Sequence, residues 1–143
     1  MTEPRLPTGP ELGLEAIGAP FRVLVIEASA YSASLLRETA VPAGLSVDVA
    51  RDPWEAVDRL GEGLYSVIVI DLPNTHVTGE ELYERIAGLD EEQTSRVIFL
   101  VNDLSDPATR RLLTAAGRPF LTQPVDPLQL YDLVVRVGLG EQE

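Results

Sequence analysis

The 143-residue chain has no cysteine and no lysine, a single histidine (His76), a single tryptophan (Trp54) and no long apolar run. Without cysteine there is no disulfide, thiolate or zinc–thiolate chemistry, which fits a cytoplasmic protein. A bilayer crossing takes about 20 consecutive apolar residues, far more than any run here, so no membrane span is expected. Met1-Thr2-Glu3-Pro4-Arg5-Leu6-Pro7 lacks the basic start and the apolar stretch of an export signal. Positive charge is scarce: 11 basic against 23 acidic residues leave a formal charge of −12. That balance opposes a phosphate backbone, so direct nucleic-acid binding is not expected, and the acidity reads first as solubility. There is no Gly-x-Gly-x-x-Gly, no Walker loop and no Ser-His-acid set with a nucleophile elbow. No catalytic residues suggest themselves, and the expectation is a protein that is not an enzyme.

With 45% apolar residues, the chain suits one globular domain. Residues 1–20 carry four prolines and three glycines, which break any longer helix and mark a Pro/Gly-rich flexible leader; Leu12, Leu14 and Ile17 could still dock on the body. Residues 21–138 are expected to form the domain, and 139–143 a short acidic tail. From Phe21 onward β-branched runs alternate with helical periodicity. Val23-Leu24-Val25-Ile26 and Val67-Ile68-Val69-Ile70 are continuous apolar runs, as in strands covered on both faces. Leu45, Val47 and Val49 alternate with polar residues, as in a half-buried strand nearer an edge.

Further strands are expected at Val97 to Val101 and Phe120 to Thr122. Helices are expected at about Ala30 to Ala40, Asp52-Pro53 to Gly61, Glu80 to Ala87, Pro107 to Ala116 and Pro127 to Val137. Strands separated by helices imply right-handed crossovers, a parallel sheet and helices on both faces, the doubly wound α/β class. In such a sheet the site lies outside the carboxyl ends of the strands, so the loops after Ile26, Ile70 and Val101 should converge. Asp71 stands at one of those ends, a single carboxylate closing an apolar strand.

The order and spacing of several segments resemble the receiver domain of two-component response regulators over about Phe21 to Val137. They are Val23-Leu24-Val25-Ile26-Glu27, Ala50 with Glu55-Ala56-Val57, Ile70-Asp71 with Gly79 eight residues on, Val97-Ile98-Phe99-Leu100, and Leu121-Thr122-Gln123-Pro124. The short Gly117-Arg118-Pro119-Phe120 segment is similar to receivers of hybrid histidine kinases. The resemblance implies a flavodoxin-like (βα)5 three-layer fold with strand order 2-1-3-4-5, and a cis peptide at Gln123-Pro124. It also implies that Asp71 holds the position of the phosphoacceptor in a phosphorelay, with Mg2+ held by an acidic pair after the first strand, by the acceptor and by a main-chain carbonyl two residues on.

Here the pair reads Glu27-Ala28 and the carbonyl is that of Pro73, a reduced donor set for an ion that wants near-octahedral oxygens. Mg2+ is expected to bind weakly if at all, and no cofactor is required. Without a cation, Glu27 near Asp71 would raise the pKa of one of them. The family's hydroxyl after the fourth strand is Val101, its switch aromatic is Phe120, and its lysine before the proline is Gln123.

The leading expectation is therefore a degenerate receiver that works without phosphorylation, through a protein partner such as a histidine kinase. It would present the face of the fourth helix, fifth strand and fifth helix, with Arg110, Arg111, Thr114, Leu128, Tyr131 and Asp132 as candidates and part of that set simply core. The alternatives are a working receiver phosphorylated on Asp71 by a histidine kinase, and a small-molecule-binding α/β module. A homodimer also stays open.

Other readings are weaker. Flavodoxins hold phosphate in a Ser/Thr- and Gly-rich first loop, where this chain has Glu27-Ala28-Ser29-Ala30-Tyr31. An aspartate-nucleophile phosphatase needs a second acid where Pro73 sits. Asn74 to Gly79 resembles the Asp-x-His-x-x-Gly motif of cobalamin-binding domains only in part, so His76 reads as an exposed loop residue. Trp54 reads first as a packing residue of its helix, although an exposed tryptophan can anchor an interface.

Overall fold

The computed structural model describes residues 21–26, 30–62, 65–74 and 79–140. The leader 1–20, Glu27, Ala28, His76 and residues 141–143 lie outside them, and so do the expectations placed there. The described residues form β1 (Arg22–Ile26), α1 (Ala30–Ala40), β2 (Ser46–Ala50), α2 (Pro53–Glu62), β3 (Val67–Asp71), α3 (Gly79–Leu89), β4 (Val97–Val101), α4 (Pro107–Ala116), β5 (Phe120–Thr122) and α5 (Pro127–Gly138). All strand pairs are parallel, and the order is β2-β1-β3-β4-β5, as the resemblance implies. The α3 helix starts at Gly79 and runs to Leu89, beyond the expected Glu80 to Ala87, and β3 takes in Asp71.

The strand composition explains the layering. Every residue of β3 and β4 is buried, so each strand needs cover on both faces. Alternate side chains supply it: Val23, Val25, Val67, Val69, Ile98 and Leu100 pack against α1 and α5, while Leu24, Ile26, Ile68, Ile70, Phe99 and Val101 pack against α2, α3 and α4. The edge strand β2 buries only Ala50 fully. No helix among the described residues is long and apolar enough to cross a membrane.

Three helices begin on an Asp-Pro pair. Asp52 accepts from the Glu55 amide at 2.8 Å, Asp106 from the Thr109 amide at 2.9 Å, and Asp126 from the Leu128 amide at 2.9 Å. Each carboxylate satisfies an N–H that the helix leaves unpaired, and the proline after it has none to lose. At α2 the Glu55 carboxylate also accepts from the Arg51 amide at 2.7 Å, one residue before the cap. The α4 helix ends on Gly117, whose φ of 63° is the left-handed turn that glycine adopts without strain.

The packing reading of Trp54 is corrected, and Tyr131 falls to the core part of its candidate set. Trp54 is 64% exposed and does not pack its helix onto the core. Pro53, Ala56 and Leu60 form the inward stripe of α2, and position 54 falls outside it. Tyr131 is 7% exposed and belongs to the core with Leu130 and Val134, so it offers little to a partner.

At the amino end of the sheet, Tyr65 donates its hydroxyl to Asp48 at 2.8 Å, and Arg22 lies over the Tyr65 ring at 4.4 Å. Burial, and then the Asp48 carboxylate, push the Tyr65 hydroxyl above its ordinary value. A raised folded-state pKa stabilises fully below the unfolded value of about 10 and is lost as pH climbs through the folded one. Tyr65→Phe is expected to cost about 1 kcal/mol at neutral pH in urea unfolding, and to flatten the fall in stability above about pH 10.

Glycine positions give a second check. A methyl group on Gly138 would overlap the Phe21 ring, whereas one on Gly88 meets nothing within 4 Å. Gly138→Ala should destabilise by about 1–3 kcal/mol through overpacking, while Gly88→Ala should stabilise by up to about 1 kcal/mol, both read from thermal unfolding.

Candidate functional site

Because all five strands are parallel, the loops after Ile26, Asp71, Val101 and Thr122 leave the same edge of the sheet. The strands before the first three of these loops end at that edge, and the loop after Ile26 itself lies outside the described residues. Asp71 is the last residue of β3, registers with Leu100 on β4, and is 0% exposed. A carboxylate with no access to water must be compensated by donors. One donor is Gln123, just past β5, whose Nε2 reaches Asp71 Oδ1 at 3.1 Å across 52 residues of sequence. A carboxylate only accepts, so the amide must turn its NH2 toward it. Gln123 is itself tied back by its main-chain N–H to the Val101 carbonyl at 2.7 Å, and the Gln123-Pro124 peptide is cis, as the resemblance implies.

Val101 is 1% exposed, and its side chain joins the core beneath α2, α3 and α4. It has no hydroxyl or amide to offer a ligand. Beyond Asp71 the chain makes a 3-10 turn, Leu72–Asn74, with Pro73 exposed in it. Leu72 leans over Gly79 and Leu112, and only the missing side chain of Gly79 leaves it room. Phe120, on the edge strand β5, is 39% exposed.

The site thus brings Asp71 and Gln123 into contact, keeps Val101 in the core and leaves Phe120 facing outward. Among the described residues, no group of three or more His, Cys, Asp or Glu side chains gathers where a metal could sit. Of the donor set that the resemblance implies, Glu27 lies outside the described residues, and Asp71 Oδ1 accepts the Gln123 amide.

A family model for the response regulator receiver domain matches residues 23–135. The chain belongs to that family. As a receiver it is 30% identical over 122 residues to an uncharacterized 14.6 kDa protein in the sodA1 3′ region of Leptolyngbya boryana, covering 85% of this chain and 93% of that one. The receiver fold is shared with the chemotaxis response regulator CheY4 of Vibrio cholerae, at 23% identity and a TM-score of 0.69 over 83% of this chain and 99% of that one. It is also shared with the receiver domain of sensor histidine kinase PA1611 of Pseudomonas aeruginosa, at 17% identity and a TM-score of 0.73, covering 85% of this chain and 100% of that one. That structure has a magnesium ion coordinated in the active-site cleft. A third such fold is the Ssk1 receiver of Saccharomyces cerevisiae, solved in complex with the histidine phosphotransfer protein Ypd1, at 21% identity and a TM-score of 0.68 over 84% of this chain and 90% of that one.

Sequence reasoning treated Gln123 only as the loss of a lysine and missed what the amide does. The signal was available: a residue next to a cis proline just beyond β5 is aimed at the strand end where the buried acid stands. Gln123→Leu removes a donor from a buried carboxylate and should cost about 1–3 kcal/mol in urea unfolding with an unchanged m-value; a loss under about 0.5 kcal/mol would sink the contact.

Proposed function

We propose that this receiver carries out two-component signalling as a protein-interaction module, with phosphoryl chemistry at Asp71 weak or silenced. Asp71 is the phosphoacceptor-equivalent, and Ala28, Val101, Phe120, Gln123 and Pro124 are the degenerate pocket and switch positions. The observation that carries this reading is the 3.1 Å contact of the Gln123 amide with Asp71 Oδ1. Phosphorylation would add about −1.5 to −2 charges and three acceptor oxygens. A lysine in place of Gln123 would neutralise part of that charge, but an amide carries none. The core position of Val101 removes a hydrogen bond that could favour the phosphorylated state, and a ligand shifts a two-state element only through such differential contacts. Magnesium, with Glu27, Asp71 and the Pro73 carbonyl as its donors, binds weakly or not at all, and no enzymatic activity follows from this set.

The output is read from a surface. The α4–β5–α5 face carries Leu104, Phe120 and Leu128 at 42%, 39% and 73% exposure. Hollows of about 450 Å3 beside Arg110, Leu113 and Thr114 and of about 590 Å3 beside Arg118, Gln129 and Asp132 flank Phe120. Exposed apolar groups rimmed by polar ones suit a protein partner, such as a histidine kinase or phosphotransfer protein, in the cytoplasm. The same face is where a homodimer would form. The small-molecule reading gains less support, because the hollow of about 320 Å3 beside Leu72 is rimmed by Glu80, Asp106 and Arg111 and is not an apolar cavity.

Incubation with acetyl phosphate and magnesium, followed by intact-protein mass measurement, tests the reading. The wild type should gain little or no phosphoryl group, whereas combined Ala28→Asp, Val101→Thr and Gln123→Lys should raise the yield at least several-fold. Stoichiometric phosphorylation of the wild type, abolished by Asp71→Asn, would overturn it in favour of a working receiver.

A further inference from the structure

Among the described residues, the most exposed aromatic lies away from the α4–β5–α5 face. Trp54 is 64% exposed and, with Pro53, Val57, Asp58 and Arg85, lines a hollow of about 170 Å3 between α2 and α3. An indole joins a large rigid apolar surface to a hydrogen-bond donor, which is why tryptophan is enriched at the energetic centres of interfaces. The cation in the hollow, Arg85, is held by Glu81 at 3.2 Å.

Charge identifies the occupant. Residues 53–62 and 79–89, α2 and α3 themselves, hold six acidic side chains against two arginines, whereas residues 97–140, with α4 and α5, hold four against four. Four of the twelve surplus negative charges therefore fall on these two helices. A second copy of this face, a nucleic acid or an anionic membrane would meet like charge there, while a basic segment is attracted and steered in.

We propose that the α2–α3 face is a second docking site, for a basic amphipathic helix of another protein that seats one apolar side chain against Trp54 and Val57. Its cations lie over Asp58, Glu81 and Glu84. This is helix-in-groove recognition, and it is independent of Asp71. The charge-balanced α4–β5–α5 face and this acidic one then select different partners, and the acidity of the chain serves recognition as well as solubility.

Trp54 is the chain's single tryptophan, so its fluorescence reports this face alone. The probe is a synthetic helix of about 18 residues with leucine on one face and arginine on the other. Expected are a saturable blue shift of the emission, and affinity that falls at least tenfold between about 0.05 and 0.5 M salt. By calorimetry, Trp54→Ala should weaken binding at least tenfold and Asp58→Lys with Glu84→Lys should abolish it, each with an unchanged circular dichroism spectrum. Val41→Ala, an exposed position after α1, should leave binding unchanged. Three results would overturn the proposal: no spectral shift, equal binding by a same-charge peptide with serine in place of leucine, or concentration-dependent self-association through Trp54.

Discussion

A parallel sheet made of unbroken apolar strands has no side that water can wet. With every residue of β3 and β4 buried, helices must cover both faces, and right-handed crossovers then bring each strand out at the same edge. The rest of the molecule follows from that constraint. It splits the core into two layers of alternating side chains, and it confines polar function to one rim of the sheet and to the outer faces of the helices.

Asp71 is where this constraint meets chemistry. Closing β3 with a carboxylate puts an anion at the last buried position of the strand, fully shielded from solvent. The chain answers it with a neutral donor delivered from the end of β5, on the far side of β4. A neutral amide supports the acid as it stands but offers no surplus charge to a dianion placed there. The rim therefore holds a neutral hydrogen bond between two ends of the sheet.

Much of this architecture could be read before any coordinates. The continuous runs of β1, β3 and β4 are buried strands because β-branched, aliphatic and, at Phe99, aromatic side chains fill them, and Asp52-Pro53 announced its helix through the chemistry of the cap. What escaped depended on direction in space. Trp54 lies one position outside the stripe of Pro53, Ala56 and Leu60, and apolar character alone does not reveal that rotation. Tyr131 went the other way, because α5 buries a broader stripe than a surface helix does. Gln123 looked like a deletion of charge until its contact, made across a neighbouring strand, came into view. Such long-range pairing has no periodicity to betray it.

The repeated Asp-Pro starts of α2, α4 and α5 have a consequence for how the chain reaches this state. Pairing parallel strands is slow because it closes large loops before any contact rewards them. A helix whose first turn is fixed by a carboxylate two or three residues away and by a ring that already holds its φ needs no distant partner to know where it begins. Three of the five helices thus carry their own starting marks, set by residues next to them in sequence.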